Sequence, residues 1–235
     1  MTTTQVTKEF DAGASRYDLL VGLNPGYHRH LRTAATALSD AAAEHGRLVD
    51  LGCGSGASTA ALLRIFGDSV EIQGVDASAG MLAQATAKSW PSGVTFVEGR
   101  AGELDRLLDA PVDGILAAYL FRNVPAEQRD AALADAWAAL RPGGGLVVLE
   151  YSVAGNANAT RVWRAVCRAV IRPLAALTGG HPSLYEYLER SVLDFDTVPV
   201  FAERLRQTGF IEVASCTVNG WQRGILHVIR GRRPE

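Results

Sequence analysis

A glycine-rich segment early in the chain carries the residue types needed to bind a nucleotide-like ligand. Residues 48–51 are apolar apart from Asp50, and alternating glycines follow, namely Gly52, Gly54 and Gly56. Glycine lets the backbone approach a ligand closely, and the exposed amides of a helix N-terminus attract polar or anionic groups. Because residues 57–66 have helical composition, the segment predicts a strand, a tight turn and a helix that together bind a ligand through backbone amides.

A second polar group follows the next apolar segment. Residues 71–76 form a short predicted strand that ends in Asp76. In open α/β sheets a carboxylate about 20 residues beyond the glycines reaches the ribose hydroxyls of a bound nucleotide. The alternative is that Asp76 simply caps the following helix. We favour ribose binding, because strand, acid and helix occur in the order that a doubly wound fold requires.

The spacing of the glycines separates the ligand classes. Dinucleotide binding requires G-x-G-x-x-G, and a phosphate-binding loop requires Gly-Lys-Ser/Thr after the turn. This chain has G-x-G-x-G followed by Ala57 and Ser58, without a lysine. Both classes are therefore disfavoured, and a dinucleotide-dependent dehydrogenase remains only a weak alternative.

Composition sets further limits on the function. The 235 residues carry a formal net charge of −2, which gives no reason to expect nucleic acid as a partner. The three cysteines are far apart and match no disulfide framework or zinc-ligand spacing, so no metal site is expected. Residues 1–10 lack the apolar core of a signal peptide, and no apolar run reaches membrane-spanning length. We therefore expect a cytoplasmic protein.

Apolar segments and helical stretches alternate along the chain, which predicts an α/β fold. Residues 197–235 have a different pattern, because they form a helix over 197–207 and two successive strands joined by Asn219-Gly220, a strong hairpin signal. We expect a mostly parallel seven-stranded sheet with a C-terminal antiparallel hairpin and helices on both faces. The strands are predicted at 48–51, 72–75, 94–97, 112–119, 146–149, 210–218 and 222–229.

Residues 156–177 form an amphipathic insertion. One helical face carries apolar residues: Trp163, Val166, Val170, Leu174 and Leu177. The other carries four arginines: Arg161, Arg164, Arg168 and Arg172. The pattern predicts a lid over an apolar substrate, and we favour solvated arginines over contact with a membrane surface, since four spaced arginines fall short of a polybasic cluster. We expect at most peripheral membrane contact.

The chain resembles a known family in several of these segments. Its glycine turn is similar to the first motif of class I methyltransferases, which bind S-adenosylmethionine. Nearly the whole chain resembles the UbiE-type C-methyltransferases of ubiquinone and menaquinone biosynthesis. The segments that carry the resemblance are 10–11, 16–19, 28–29, Phe121-Arg122-Asn123-Val124, 140–144, 148–152 and Tyr185-Glu186-Tyr187-Leu188 with Ser191 and Phe195.

The resemblance implies the class I methyltransferase (Rossmann-like) fold in a single domain over 1–235. Its expected parts are an N-terminal helical cap (1–45), a cofactor-binding core (46–152), a helical insertion or lid (153–196), and a final helix and hairpin (197–235). It also implies C-methylation of a lipophilic quinol such as demethylmenaquinol, with S-adenosylmethionine as the cofactor. A homodimer is left open.

The resemblance also assigns site residues. Those expected to bind the cofactor are Tyr17, Asp50, Gly52, Gly54, Gly56, Asp76, Ala77, Met81, Ala101, Gly102 and Tyr119. Those expected to bind the methyl acceptor are His28, Glu150, Tyr185 and Tyr187, and the catalytic pair is Arg122 and Asn123.

The chemistry of ring methylation explains the choice of Arg122. A ring carbon becomes nucleophilic when a neighbouring hydroxyl ionises, and a phenol has a pKa of ~10. The permanent charge of Arg122 lowers that pKa but cannot act as the base, while Asn123 orients the hydroxyl or a water. The alternative is that the two residues only brace the loop. The general base is left open among Glu150, His28, His181 and Tyr187.

Two departures from the family pattern bear on the substrate. Where the family commonly carries an acid after the third strand, this chain has Arg100, so we expect the Ala101 amide to meet the adenine ring and Glu103 to supply the missing acceptor. An Asn-Asp pair of the family is replaced by Val21-Gly22. These departures keep open an O- or C-methyltransferase of an aromatic secondary metabolite. A non-catalytic S-adenosylmethionine-binding regulator and a nucleic-acid N-methyltransferase are disfavoured, the latter because no Asn/Asp-Pro-Pro-Tyr motif follows the fourth strand.

Overall fold

The computed structural model describes residues 24, 26–39, 46–173 and 182–235, and for residues 182–185 it describes the backbone alone. The strands are β1 (Arg47–Leu51), β2 (Glu71–Asp76), β3 (Val94–Glu98), β4 (Val112–Ala118), β5 (Leu140–Tyr151), β6 (Ile211–Thr217) and β7 (Leu226–Arg232). The helices are α1 (Tyr27–Ser39), α2 (Ala57–Phe66), α3 (Ala79–Thr86), α4 (Leu104–Leu107), α5 (Arg129–Ala139), α6 (Ala157–Val166), α7 (Pro182–Leu193) and α8 (Val198–Thr208). The predicted helical cap lies mostly outside the described residues, except for α1.

The strands form one seven-stranded sheet in the order β3-β2-β1-β4-β5-β7-β6. Strands β1 to β5 pair in parallel, and β7 pairs antiparallel with both β5 and β6. The mostly parallel sheet with an antiparallel C-terminal pair is therefore confirmed. All residues of β4 are buried, as expected for a central strand covered on both faces. The carboxyl ends of the parallel strands lie at one edge, where ligands bind in open α/β sheets.

Helices cover both faces of the sheet. On one face α1 and α2 pack their apolar residues onto the sheet, with Leu31, Leu38 and Leu62 at 1% exposure or less. On the other face α4, α5 and α8 bury residues such as Leu133 and Phe201. The two cores hold the sheet rigidly, which fixes the carboxyl edge on which the site is built.

The C-terminal hairpin differs from its predicted form. A two-residue turn at Asn219-Gly220 with a strand from Gln222 was expected, but β7 begins at Leu226. The amides of Ile225 and Leu226 both donate to the carbonyl of Gln222 (2.9 and 3.0 Å). Because this local turn uses amides that a strand would offer to its neighbour, residues 218–225 form a loop, and the Gln222 side chain is completely buried.

The amphipathic insertion is helical as predicted, but its apolar face is different. A π-helical turn over Cys167–Ile171 follows α6, and its extra residue rotates the later side chains relative to an α-helix. Trp163, which precedes this turn, and Cys167 are buried, whereas Val170 is 54% exposed, so its placement on the same apolar face as Trp163 was wrong. The predicted arginine face is exposed, while Leu174 and Leu177 lie outside the described residues. No described helix is long and apolar enough to span a membrane.

Candidate active site

The glycine turn between β1 and α2 adopts a conformation that favours glycine at three positions. Gly52, Gly54 and Gly56 have φ of +77°, +53° and +90°, a region that L-residues with side chains rarely occupy. A Cβ on Gly56 would come within 2.8 Å of the Trp90 ring, whereas one on Gly54 would meet nothing within 4 Å. Gly54 therefore faces open space over the carboxyl edge, which leaves room for a ligand against the backbone.

Asp50 lies beneath this turn and is completely buried. Its Oδ2 accepts hydrogen bonds from Ser58 Oγ (2.8 Å) and Thr59 Oγ1 (2.5 Å) in the first turn of α2. Burial raises the pKa of this carboxyl to about 6, against the lowering effect of the two hydroxyls. The geometry gives Asp50 the task of fixing the turn to α2, and direct contact with the cofactor stays a prediction.

Asp76 ends β2 and stands beside the glycine turn. Its Oδ2 accepts from the Gly54 amide and its Oδ1 from the Ser78 amide, both at 2.8 Å. The residue is half-buried at the carboxyl edge, beside the open space over Gly54. Asp76 thus braces the turn and the entry to α3, an arrangement compatible with ribose binding.

The remaining predicted cofactor residues surround the same edge. Met81 is buried in α3, and Ala77 is half-buried just before that helix. After β3, Gly102 has φ of +96° and a Cβ there would meet nothing within 4 Å. Glu103 Oε2 accepts a hydrogen bond from the Arg100 amide (3.0 Å), which closes this loop. Glu103 is the residue expected to replace the family's acid, and the neighbouring Ala101 is half-buried.

Tyr119 follows β4 in an unusual backbone conformation. Its φ is +58°, which costs of order 1–3 kcal/mol for a residue with a side chain. Its amide donates to Leu149 O (2.7 Å). Its carbonyl accepts from Arg122 Nη1 (2.6 Å) and Asn123 Nδ2 (3.2 Å). These bonds offset the strain and turn the chain sharply at the centre of the carboxyl edge.

Arg122 and Glu150 form a buried ion pair across the ends of β4 and β5. Arg122 Nη1 lies 2.8 Å from Glu150 Oε1, with 7% and 0% side-chain exposure. Glu150 also accepts from the amides of Arg122 (3.2 Å) and Tyr151 (3.0 Å). Both carboxylate oxygens of Glu150 accept hydrogen bonds and its side chain is fully buried, so Glu150 orients Arg122. A direct contact between Glu150 and the methyl acceptor stays a prediction.

Four rings form a group that we call the aromatic cluster: Tyr27, Tyr119, Tyr151 and Trp163. Tyr27 stacks on Tyr119 at 5.6 Å, and Tyr151 contacts both Tyr119 and Trp163 at 5.2 Å. The Arg122 guanidinium carbon lies 5.8 and 5.9 Å from the centroids of Tyr119 and Tyr151, within reach of cation–π attraction. The cluster brings helix α1, both central strands and the lid to one place.

The other predicted residues are placed differently. Tyr187 on α7 donates its hydroxyl to Asn123 Oδ1 (3.1 Å), which joins α7 to the predicted catalytic pair, and burial raises the pKa of this phenol. His28 is exposed and meets the Tyr27 ring edge-on. Tyr17, His181 and the side chain of Tyr185 lie outside the part of the chain that the structure describes.

Sequence reasoning did not assign site roles to Tyr27, Tyr151 or Gln222. Tyr151 is the last residue of β5, directly after the predicted Glu150, so its position at a strand's carboxyl end was a usable signal. Tyr27 follows a turn signal at the start of a helix, and Gln222 was assigned to a strand. No local pattern marks these two, because long-range contacts bring them to the site.

The residues at this edge fit S-adenosylmethionine. Open space over Gly54 and Gly102 admits a ligand against the backbone, and Asp76 offers a carboxylate to ribose hydroxyls beside them. The fold is similar to magnesium protoporphyrin IX methyltransferase from Synechocystis with bound S-adenosylmethionine (TM-score 0.68, 14% identity, 98% of this chain and 96% of that one). Fold and site define a class I S-adenosylmethionine-dependent methyltransferase.

The chain belongs to the ubiE/COQ5 methyltransferase family, whose model matches residues 1–228. It is 31% identical to a ubiquinone/menaquinone biosynthesis C-methyltransferase of Methylobacterium nodulans, over 92% of this chain and 86% of that one. It is 35% identical to a demethylmenaquinone methyltransferase of Deinococcus radiodurans, over 87% and 84% of the two chains. The family predicted from the sequence motifs is therefore confirmed, and S-adenosylmethionine is the cofactor.

Proposed function

We propose that this enzyme transfers a methyl group to a ring carbon of a lipophilic quinol such as demethylmenaquinol. The names of the relatives from Methylobacterium and Deinococcus support this acceptor class. The observation that carries the proposal is the position of Arg122 against the aromatic cluster. A flat apolar ring can stack on such side chains while a guanidinium faces its oxygen.

The cofactor supplies an electrophilic methyl group, and the protein makes the acceptor carbon nucleophilic. Loss of the hydroxyl proton puts negative charge on the oxygen and on the ring carbon ortho to it. After methylation that carbon loses its hydrogen as a proton to solvent, which restores the aromatic ring. Arg122 stabilises that charge, held in place by Glu150 and by the Tyr119 carbonyl. Asn123, fixed between Tyr119 and Tyr187, orients the hydroxyl. Positioning of this kind supplies much of the acceleration of a group transfer.

The candidates for the general base differ in their surroundings. Glu150 is buried and already accepts from three donors, and the Tyr187 phenol has a raised pKa because it is buried. The bonds that already occupy Glu150 and the raised pKa of Tyr187 disfavour these two residues as the base, which leaves His28, His181 and water as acceptors of the hydroxyl proton. Arg122 then carries the task of lowering the acceptor pKa.

Arg122 variants test this function with single-turnover rates measured against pH. Arg122→Ala should keep its affinity for S-adenosylmethionine and lose about 10²–10³-fold in rate, as for loss of a preorganised charge-stabilising donor. Its pH–rate profile should move to higher pH, because the acceptor hydroxyl regains a pKa closer to its value in water. Arg122→Lys should recover part of the rate, since the charge is kept without the forked geometry.

A double variant separates charge stabilisation from loop bracing. Arg122→Gln/Glu150→Gln removes both charges and leaves no buried carboxylate unpaired. If the charge matters for catalysis, the double variant stays slow with a shifted profile; recovery of the wild-type rate would make Arg122 a loop brace. Mass spectrometry of the product decides between the acceptor classes, since a methyl group on oxygen would favour the alternative of an aromatic O-methyltransferase.

We extend the proposal to the adenine contact and the cellular setting. The Ala101 amide meets the adenine ring, and Glu103, whose carboxylate closes this loop, accepts a hydrogen bond from the adenine amino group.

The enzyme works in the cytoplasm with at most peripheral membrane contact, for which the exposed arginines of α6 are the candidate surface. Sedimentation velocity tests whether it is a homodimer.

A further inference from the structure

Three polar side chains from distant parts of the chain meet beside the aromatic cluster. Asn24 Nδ2 donates to the Tyr151 hydroxyl oxygen (3.3 Å), and Gln222 Nε2 donates to the same oxygen (3.2 Å). Gln222 Nε2 also donates to Asn24 Oδ1 (3.4 Å). Gln222 is completely buried and Tyr151 is 7% exposed. We call these three residues the amide–phenol group.

The hydrogen bonds within this group leave one donor and one acceptor unused. The Tyr151 oxygen accepts twice, and among the described residues its own proton has no acceptor. Gln222 Oε1 is buried without any hydrogen-bond partner in the described part of the chain. Native proteins rarely leave a buried carbonyl in that state without a reason, because the loss of its hydration is then not compensated.

The position of the group connects it to the reaction. Tyr151 is the last residue of β5, at the carboxyl edge of the sheet, and its ring lies 5.9 Å from the Arg122 guanidinium carbon. Gln222 reaches this edge from the loop between β6 and β7. The Tyr151 ring thus connects the two places: its face lies near the Arg122 guanidinium, and its hydroxyl contacts the Gln222 amide.

We propose that Tyr151 and Gln222 bind the second hydroxyl of a dihydroxy aromatic acceptor. That hydroxyl accepts a hydrogen bond from Tyr151 and donates one to Gln222 Oε1, which satisfies both groups at once. A quinone carbonyl or a methyl ether has no proton for Gln222, so the pair selects the reduced ring over the oxidised one. This inference rests on the proposed function, in which the first hydroxyl lies at Arg122.

The protonation state of Tyr151 is consistent with its assigned role. Burial raises the pKa of this phenol, against the lowering effects of Asn24, Arg122 and Gln222. Tyr151 therefore remains a hydrogen-bond donor throughout the neutral range. The Gln222 amide does not titrate, so the recognition of the second hydroxyl should not itself depend on pH.

The test compares two acceptors with the full-length enzyme and S-adenosylmethionine. One is a soluble 2-alkyl-1,4-naphthalenediol; the other is its monoether, methylated at the hydroxyl that is not adjacent to the reacting carbon. The wild type should favour the diol by about 10²-fold or more in kcat/KM, because a site built to bind a hydroxyl rejects analogues without it. Gln222→Met and Tyr151→Phe should each reduce this preference at least tenfold, chiefly through the KM of the diol.

A matched glutamine variant serves as the control. Gln73 donates its Nε2 to Leu107 O (3.0 Å), away from Tyr151, so Gln73→Met should keep the full preference for the diol. An unchanged preference in folded Gln222→Met and Tyr151→Phe overturns the inference while leaving the proposed function intact. If Gln222→Met does not fold, Tyr151→Phe decides, because it keeps the packed ring. A wild type that methylates neither compound refutes the acceptor class itself.

Discussion

The two halves of the site are built in different ways. On the cofactor side the bonds that shape the site join consecutive strand–helix units: Ser58 and Thr59 are eight and nine positions from Asp50, and Gly54 is 22 positions from Asp76. On the acceptor side Arg122 and Glu150 are 28 positions apart, and Tyr151 and Gln222 are 71 apart. The cofactor side therefore depends on neighbouring units of the chain, whereas the acceptor side also needs the C-terminal part of the fold.

The two halves also use different chemical groups. The cofactor side presents backbone, at glycines whose conformation leaves open space, with Asp76 as the principal side chain. The acceptor side presents rings and a buried ion pair, which require particular side chains from several elements. Backbone sites tolerate variation in the surrounding residues, so acceptor specificity can change while cofactor binding is kept.

The buried ion pair should show the largest effect and tests the acceptor side. Glu150→Ala leaves the Arg122 charge buried without its partner, so the free energy of unfolding should fall by about 3–5 kcal/mol. Urea unfolding measures this. Glu203→Ala removes an exposed partner of Arg206 and should cost less than about 1 kcal/mol. Equal losses in the two variants would contradict the importance given to the buried pair.

The buried acid beneath the glycine turn should show the next largest effect, through pH. The pKa of Asp50 rises from 3.8 to about 6 on folding, so the native state holds a proton that the unfolded state has already lost. The contribution of Asp50 to stability therefore decreases as pH rises from about 4 to 6, by about 3 kcal/mol at 1.36 kcal/mol per unit. The Asp50→Asn variant lacks this dependence.

The measurement is the difference in unfolding free energy between wild type and Asp50→Asn at several pH values. Relative to wild type, the unfolding free energy of Asp50→Asn should increase between pH 4 and pH 6 and stay constant above pH 6. Other titrating groups cancel in the comparison. A difference that does not vary with pH would show that Asp50 ionises normally and that the turn is not held over a desolvated acid.

Cofactor affinity should show the smallest effect and tests the cofactor side. Asp76→Ala removes the proposed ribose bonds and the acceptor of the Gly54 amide, so S-adenosylmethionine should bind more weakly by about 1.5–3 kcal/mol. Asp76→Asn keeps one oxygen acceptor and should lose less. Titration calorimetry measures both, with the exposed Asp68→Ala as control. Unchanged affinity in a folded Asp76→Ala protein would remove the ribose assignment.

The sequence predicted the elements that position the cofactor site because their signals are local. The β1–turn–α2 segment follows from alternating glycines after an apolar strand, and Asp76 follows from the strand that precedes it. The left-handed conformation of Tyr119 has no such signal, since its cost is offset by bonds to Leu149, Arg122 and Asn123 that exist only in the folded chain. Motif resemblance located Arg122 without revealing that Glu150 is its buried ion-pair partner.

Errors in the sequence analysis occurred where tertiary contacts override local preference. The apolar face predicted for the insertion holds only for a regular α-helix. The π-turn at Cys167–Ile171 instead turns Val170 towards solvent. The Asn219-Gly220 signal was read as the tight turn of a long hairpin, but the buried Gln222 requires a wider loop. Both deviations occur in elements that contact the acceptor side.

The antiparallel direction of β7 has a consequence for altering this enzyme. Because β7 lies between β5 and β6 and opposes β5, its first residue is at the same end of the sheet as the last residue of β5. The loop before it thus returns to the acceptor side while both flanking strands remain anchored in the sheet. Changing its exposed residues 219–221 and 223, with the buried Val218, Gln222 and Ile225 kept, offers a way to retarget the enzyme to other ring substitution patterns without rebuilding its core.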